Sequence, residues 1–119
     1  MASSIQSAGE ILTFDSEIRE WHAFNNMMPP KPDVFYVIGE VLVGNPGVDV
    51  ELCGAMDLNE EICTLELLLT QRAGNWPQEV IWKQVRHDRI YREGQVYYNK
   101  VVVMNDDKEL FDLTPQPIC

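Results

Sequence analysis

Val34-Phe35-Tyr36-Val37-Ile38-Gly39-Glu40-Val41-Leu42-Val43 is apolar on both parities of an extended chain, and Gly44-Asn45-Pro46-Gly47 stops it with turn chemistry. Val48 to Met56 then alternates. Val48, Val50, Leu52, Gly54 and Met56 fall on one side, and Asp49, Glu51, Cys53 and Ala55 on the other. A period of two is the signature of a half-buried strand, and a two-faced apolar run before it reads as a central strand covered on both sides. These two runs and the turn between them set the fold class as mainly β.

Downstream, the same grammar continues. Residues 64–71, with Leu65, Leu67 and Leu69 inward, have strand length between two turn signals, and the loop Ala73-Gly74-Asn75-Trp76-Pro77 precedes a run over 79–87. Arg92-Glu93-Gly94-Gln95 turns the chain into an apolar run over 96–104. Asn105-Asp106-Asp107-Lys108 reads as a hairpin tip leading to a short run over 109–113, and Pro115 and Pro117 end regular structure. Short strands at this spacing predict a small antiparallel β-sandwich of immunoglobulin-like or transthyretin-like type over residues 33–119, with a small open β-barrel as the alternative.

Residues 1–32 read differently, as an N-terminal arm that ends in the proline-rich linker Met27-Met28-Pro29-Pro30-Lys31-Pro32. Asp15 is placed to cap a short helix with Ile18, Trp21 and Phe24 on one side, and Ile11-Leu12-Thr13-Phe14 is the alternative edge strand. An arm carrying Trp21, Phe24, Met27 and Met28 has to dock on its own domain or on a neighbour. Trp76, on its loop, is expected to tuck back over the end of the sandwich.

The 119 residues carry 19 acids against 9 Lys+Arg, a net charge of −10, which repels phosphate backbones and anionic headgroups and argues against nucleic acid and membrane partners. The balance is uneven: residues 72–100 are net basic between two acidic stretches, which predicts neutralisation across a sheet. The start lacks the basic and apolar regions of a signal peptide, no window approaches a membrane span, and three cysteines make no disulfide framework. A cytoplasmic protein with free thiols is the expectation. Cys53 in particular faces a position near residue 67 in the hairpin expected over 48–71, several rungs from Cys63.

Motifs for chemistry are sparse. Asp57-x-Asn59-x-Glu61 opens like a calcium loop, but Ile62 and Leu68 stand where Gly and a bidentate Glu belong, so a solvated turn is expected. His22 and His87 form no recognisable motif with Cys53, Cys63 or Cys119, zinc-type spacing is lacking, and no phosphate loop or nucleophile elbow occurs. No cofactor, metal or catalytic role is predicted. What remains is a basic and aromatic cluster in which Lys83, Arg86, His87, Arg89 and Arg92 interleave with Trp82, Tyr91, Tyr97 and Tyr98. On a strand Lys83, His87, Arg89 and Tyr91 share one face and Arg86 and Arg92 the other, as a charged edge strand would have it. The candidate interface residues are Trp21, Phe24, Trp82, Arg86, Arg89, Tyr91 and Tyr98, in a non-catalytic module that binds protein or itself as a homo-oligomer. The alternative is a small-molecule carrier whose pocket is lined by Phe35, Val37, Leu52, Leu67, Trp82 and Tyr98.

Overall fold

The structure, a computed structural model, describes residues 10–14, 17–57 and 59–119. It is mainly β, as the patterning predicts: β1 (Glu10–Leu12), β2 (Ile18–Asn26), β3 (Val34–Val43), β4 (Val48–Gly54), β5 (Ile62–Gln71), β6 (Ile81–Ile90), β7 (Lys100–Asn105), β8 (Lys108–Leu113) and β9 (Gln116–Ile118) build two packed sheets, one of them curled into a half-barrel. One sheet runs β6-β3-β2-β9. In the other, β5 pairs with β4 along one edge, while its opposite edge is shared, β7 taking Ile62 to Glu66 and β1 taking Leu69 to Gln71. Two pairings, β5 with β7 and β2 with β9, are parallel, so the sheets are mixed rather than wholly antiparallel.

The short helix expected after Asp15 does not form; Asp15 itself lies outside the described residues. Residues 18–26, read as part of an arm ahead of the β domain, supply an internal strand between β3 and β9. A bulge explains the helical appearance. Arg19 faces Glu40 and His22 faces Ile38, so two residues stand opposite Gly39, with Glu20 at a left-handed φ of 56°. Ile18 and Trp21 thereby both face the interior three residues apart, and Phe24 faces out. Gly39 makes room for this: a Cβ there would lie 2.2 Å from the Trp21 ring. The indole stacks edge-on against Phe111 of β8 at 4.9 Å and donates to the Glu40 carbonyl. The alternative for 11–14 is closer to the outcome, since β1 pairs antiparallel with the end of β5.

The interior is filled by alternate residues of both sheets. Phe35, Val37 and Val41 of β3 meet Leu65 and Leu67 of β5 and Val101 and Val103 of β7, all essentially without exposure. Fully burying side chains of this size stabilises by about 1.5–3 kcal/mol each against exposure. The β7–β8 hairpin turns at Asp106 and Asp107, whose φ values of 52° and 64° suit a tight turn matched to strand twist. Trp76 does tuck back, over Gly47, with its indole nitrogen donating to the Arg72 carbonyl.

Where β1 and β7 divide the edge of β5, one side chain closes the gap. Asn105, 5% exposed, accepts from the Phe14 amide at 2.9 Å and donates to the Leu67 carbonyl at 2.8 Å. Replacing it with alanine leaves both backbone groups without that partner, so Asn105→Ala is expected to lower stability by about 2 kcal/mol. Urea unfolding measures it, and a change within experimental error would show that water satisfies the gap as well.

Candidate functional site

The strand β6 decides where the sequence's basic cluster goes. Val85 is buried beneath the other sheet, so Lys83, His87 and Arg89 share its inward face, as their odd spacing predicts, while Trp82, Arg86 and Asp88 face out. The inward side chains reach across to the unpaired edge of β4. Lys83 Nζ donates to the carbonyls of Pro46 at 2.8 Å and Val48 at 2.6 Å, and the His87 ring lies against Gly54, where a Cβ would stand 3.6 Å from its Cε1. Arg89 hydrogen-bonds the Tyr98 hydroxyl and lies 3.4 Å from Asp57 Oδ2. Lys83 and Arg89 therefore meet backbone carbonyls and one carboxylate, and the cluster does not form an open anion site.

Asp57 anchors the far end of this seam. Its Oδ1 accepts from the Thr64 amide at 2.8 Å and its Oδ2 from the Tyr98 hydroxyl at 3.1 Å. Asn59 closes the adjacent turn by accepting from the Glu61 amide. The residues once comparable to a calcium loop are spent on a turn, and among the described residues no three His, Cys, Asp or Glu side chains are placed to hold a metal.

Behind Tyr98 lies a buried polar network. The Tyr91 hydroxyl donates to Asn25 Oδ1 at 2.5 Å and accepts from the Tyr98 amide at 3.0 Å, while Asn25 Nδ2 donates to the Tyr98 carbonyl. Phe35 packs against both rings. Burial pushes the Tyr91 hydroxyl up to about 12 and raises that of Tyr98, against the opposing pull of Arg89. Tyr91 and Tyr98, expected as interface candidates, are interior residues. The network also takes the Tyr98 amide and carbonyl out of any ladder, which is why the strand expected over 96–104 begins only at Lys100.

The segment 91–99 carries a cleft on either side of the turn at Arg92–Gln95. One, of about 500 Å³, is lined by Lys31, Asp33, Tyr91, Arg92, Glu93 and Tyr97; the other, of about 540 Å³, by Asp57, Glu60, Arg92 and Tyr98 among others. Asp33 hydrogen-bonds Tyr97 and, at 3.0 Å, Lys31. Those bonds, that from Tyr97 first, hold its carboxyl below the usual range.

The remaining candidates share a different surface. Phe24, Trp82 and Arg86 stand on the outer face of β6-β3-β2-β9 with Tyr36, Ile38 and Leu42. Phe24 meets Tyr36 at 5.1 Å, Arg86 lies over Tyr36 at 4.7 Å, and Arg19 lies over Trp82 at 4.0 Å. Trp21 is between the sheets instead. The carrier pocket is not assembled as expected, because Phe35, Val37, Leu52, Leu67 and Tyr98 pack on one another in the core and Trp82 points to the opposite side of its sheet.

Sequence reading passed over Asn25, Asp33 and Lys31, and it placed Tyr97 in the aromatic cluster without making it a candidate. A polar residue at an inward position of β2 would have flagged Asn25 once residues 18–26 were seen as a strand; no periodicity marks Asp33. Comparison with protein-family models, with curated proteins and with solved structures returns no match. Nor, among the described residues, is any helix long and apolar enough to cross a membrane.

Two outcomes follow from the seam. Burial, then the Arg89 charge, lowers the His87 pKa from its ordinary 6.5. The folded state thus binds the proton less well than the unfolded chain, so the contribution of His87 is full above pH 6.5 and fades as pH falls through the depressed value. His87→Gln is expected to flatten the loss of melting temperature between neutral pH and about pH 5; a slope identical to that of the parent protein would remove His87 from the account. For the thiols, burial pushes Cys63 up to about 12 and also raises Cys53, whereas Cys119 is exposed. A disulfide reagent at pH 8 is expected to modify Cys119 quickly, Cys53 slowly and Cys63 only on unfolding.

Proposed function

We propose that this domain is a non-catalytic, cytoplasmic protein-binding module that docks through the outer face of β6-β3-β2-β9, with a second copy of itself as the first partner to test. The observation that carries the reading is the composition of that face. Val34, Tyr36, Ile38 and Leu42 of the central strand β3 are all partly exposed, and no described element lies over them. Ile90, 64% exposed, and Trp82 extend the patch along β6, and Phe24 extends it along β2.

The residue types suit an interface. Tryptophan, tyrosine and arginine dominate binding energy where they occur together, since they bury large rigid area while offering directed polar contacts. Here two arginines are already held over rings, Arg19 over Trp82 with an ion pair to Glu40, and Arg86 over Tyr36 with one to Asp88. Holding them in place before contact reduces the ordering cost of association. The pairs also leave the face locally balanced in charge on a chain of net charge −10, so a like-charged copy can approach here with little repulsion.

Light scattering on a sizing column tests this. The chain is expected to run above its 13.7 kDa monomer mass at moderate salt, and Trp82→Glu or Ile90→Lys to return it to monomer with little change in melting temperature. Both side chains point away from the core, so their loss should not unfold the domain. A single monomeric species at every concentration up to the millimolar range overturns self-association.

A further inference from the structure

We propose that the cleft between the Lys31–Asp33 segment and the loop 91–97 is a binding site for a primary alkylammonium group, with Asp33 as its acceptor. Asp33 is 4% exposed, and its Oδ1 is buried without a hydrogen-bond donor among the described residues, although Oδ2 is served by Lys31 and Tyr97. A buried carboxylate oxygen left without a donor is costly, and a side chain persists in that state mainly where something else supplies the donor. The carboxylate borders a cleft of about 500 Å³, within the size range of small-molecule sites.

The chain itself shows what chemistry the carboxylate accepts. Lys31 is 79% exposed, yet its ammonium sits 3.0 Å from Asp33 Oδ2. An alkylammonium is thus already bound to one oxygen by a residue two positions away, and the second oxygen is left over. Tyr91 and Tyr97, whose rings meet edge-on at 4.8 Å, line the same cleft and offer apolar and π surface to an alkyl chain and its cationic head. Arg92 and Glu93, both exposed at the rim, offset each other, and the overall charge of −10 draws cations rather than anions. Because Oδ1 is closed to solvent, the incoming ammonium reaches it by turning aside Lys31 or Tyr97, the two exposed members of the trio. Lys31 is therefore a competitor for the site and not only part of its wall.

That competition gives the test a sign that a structural role lacks. Backbone amide shifts are followed by NMR while butylammonium chloride, or Nα-acetyl-lysinamide, is added at constant ionic strength. Saturable shifts at 31–33 and 91–97 are expected, and Lys31→Met is expected to tighten binding by about fivefold, the equilibrium equivalent of an exposed ion pair that no longer competes. Asp33→Asn is expected to abolish saturation. Binding of both probes marks the ammonium group alone as the ligand; binding of lysinamide only marks a lysine side chain of a polypeptide. Shifts that stay linear in both the parent and Lys31→Met overturn the proposal, as does saturation that survives in Asp33→Asn. Should Asp33→Asn fail to fold, weaker binding in Lys31→Met overturns it just as well.

Discussion

Three inward-facing side chains of one strand hold the two sheets at their open side. β4 and β6 are both edge strands, and they face each other where a barrel would close by direct pairing. Lys83, His87 and Arg89 stand between them, Lys83 covering the carbonyls of Pro46 and Val48, His87 lying against Gly54 and Arg89 meeting the carboxylate of Asp57. A side chain's length separates the strands, so the curled sheet stops at a half-barrel. The arrangement also solves the problem that every edge strand poses: unpaired backbone acceptors invite another chain, and inward charges that occupy them remove the invitation. Because these acceptors are partly buried, the charge-assisted bonds of Lys83 and Arg89 are each worth more than a surface ion pair.

From Arg89 the seam continues into the end of the sandwich. Its contacts to Tyr98 and Asp57 tie the segment 91–99 to the start of β5, and the Asn25–Tyr91 pair ties the same segment to β2. The backbone of Tyr98 is satisfied by side chains rather than by a neighbouring strand. That frees the chain between Arg92 and Tyr97 to stand off the sheets, which opens a cleft on each side of it. The clefts are thus a consequence of polar side chains outcompeting a ladder, and their walls are anchored by buried hydroxyls.

The features that sequence alone made legible are those with a clean period. β3 and β4 lie where their patterns put them, Cys53 faces Glu66 beside the expected position 67, and the parity of β6 separates Arg86 from Arg89 as it should. What escaped was set by exceptions to period. The bulge at Glu20 moved Trp21 into the interior three residues after Ile18, which mimics a helix, and Gly39 shows its purpose only when Trp21 is seen on it. In residues 96–99 the apolar run reads as strand, yet the backbone of Tyr98 is claimed by side chains, its carbonyl by Asn25 73 residues away and its amide by the Tyr91 hydroxyl that Asn25 holds in place. Two-faced apolarity in β3 predicts cover on both sides, whereas one side is left partly exposed. No local pattern encodes that difference, because it depends on whether another element arrives.

The distribution of basic residues then makes the two outer faces unlike each other. Neutralisation within the five-stranded sheet does occur, with Arg72 on Asp49 and Lys100 on Asp112, while Arg89 of the other sheet meets Asp57 and Lys83 is consumed by carbonyls. On the outside of the five-stranded sheet this leaves Glu51, Glu66 and Glu109 outside the ion pairs formed among the described residues, at pairing positions that put them on one surface. On the outside of β6-β3-β2-β9, Arg19 pairs with Glu40 and Arg86 with Asp88, and both arginines rest over aromatic rings. Repulsion between copies, which scales with the unmatched charge brought together, is concentrated on the first face and nearly absent from the second. Apolar area and balanced charge coincide on the same surface. If the chain associates with itself, the sheet that meets its copy is decided by where the six bases of residues 72–100 are spent.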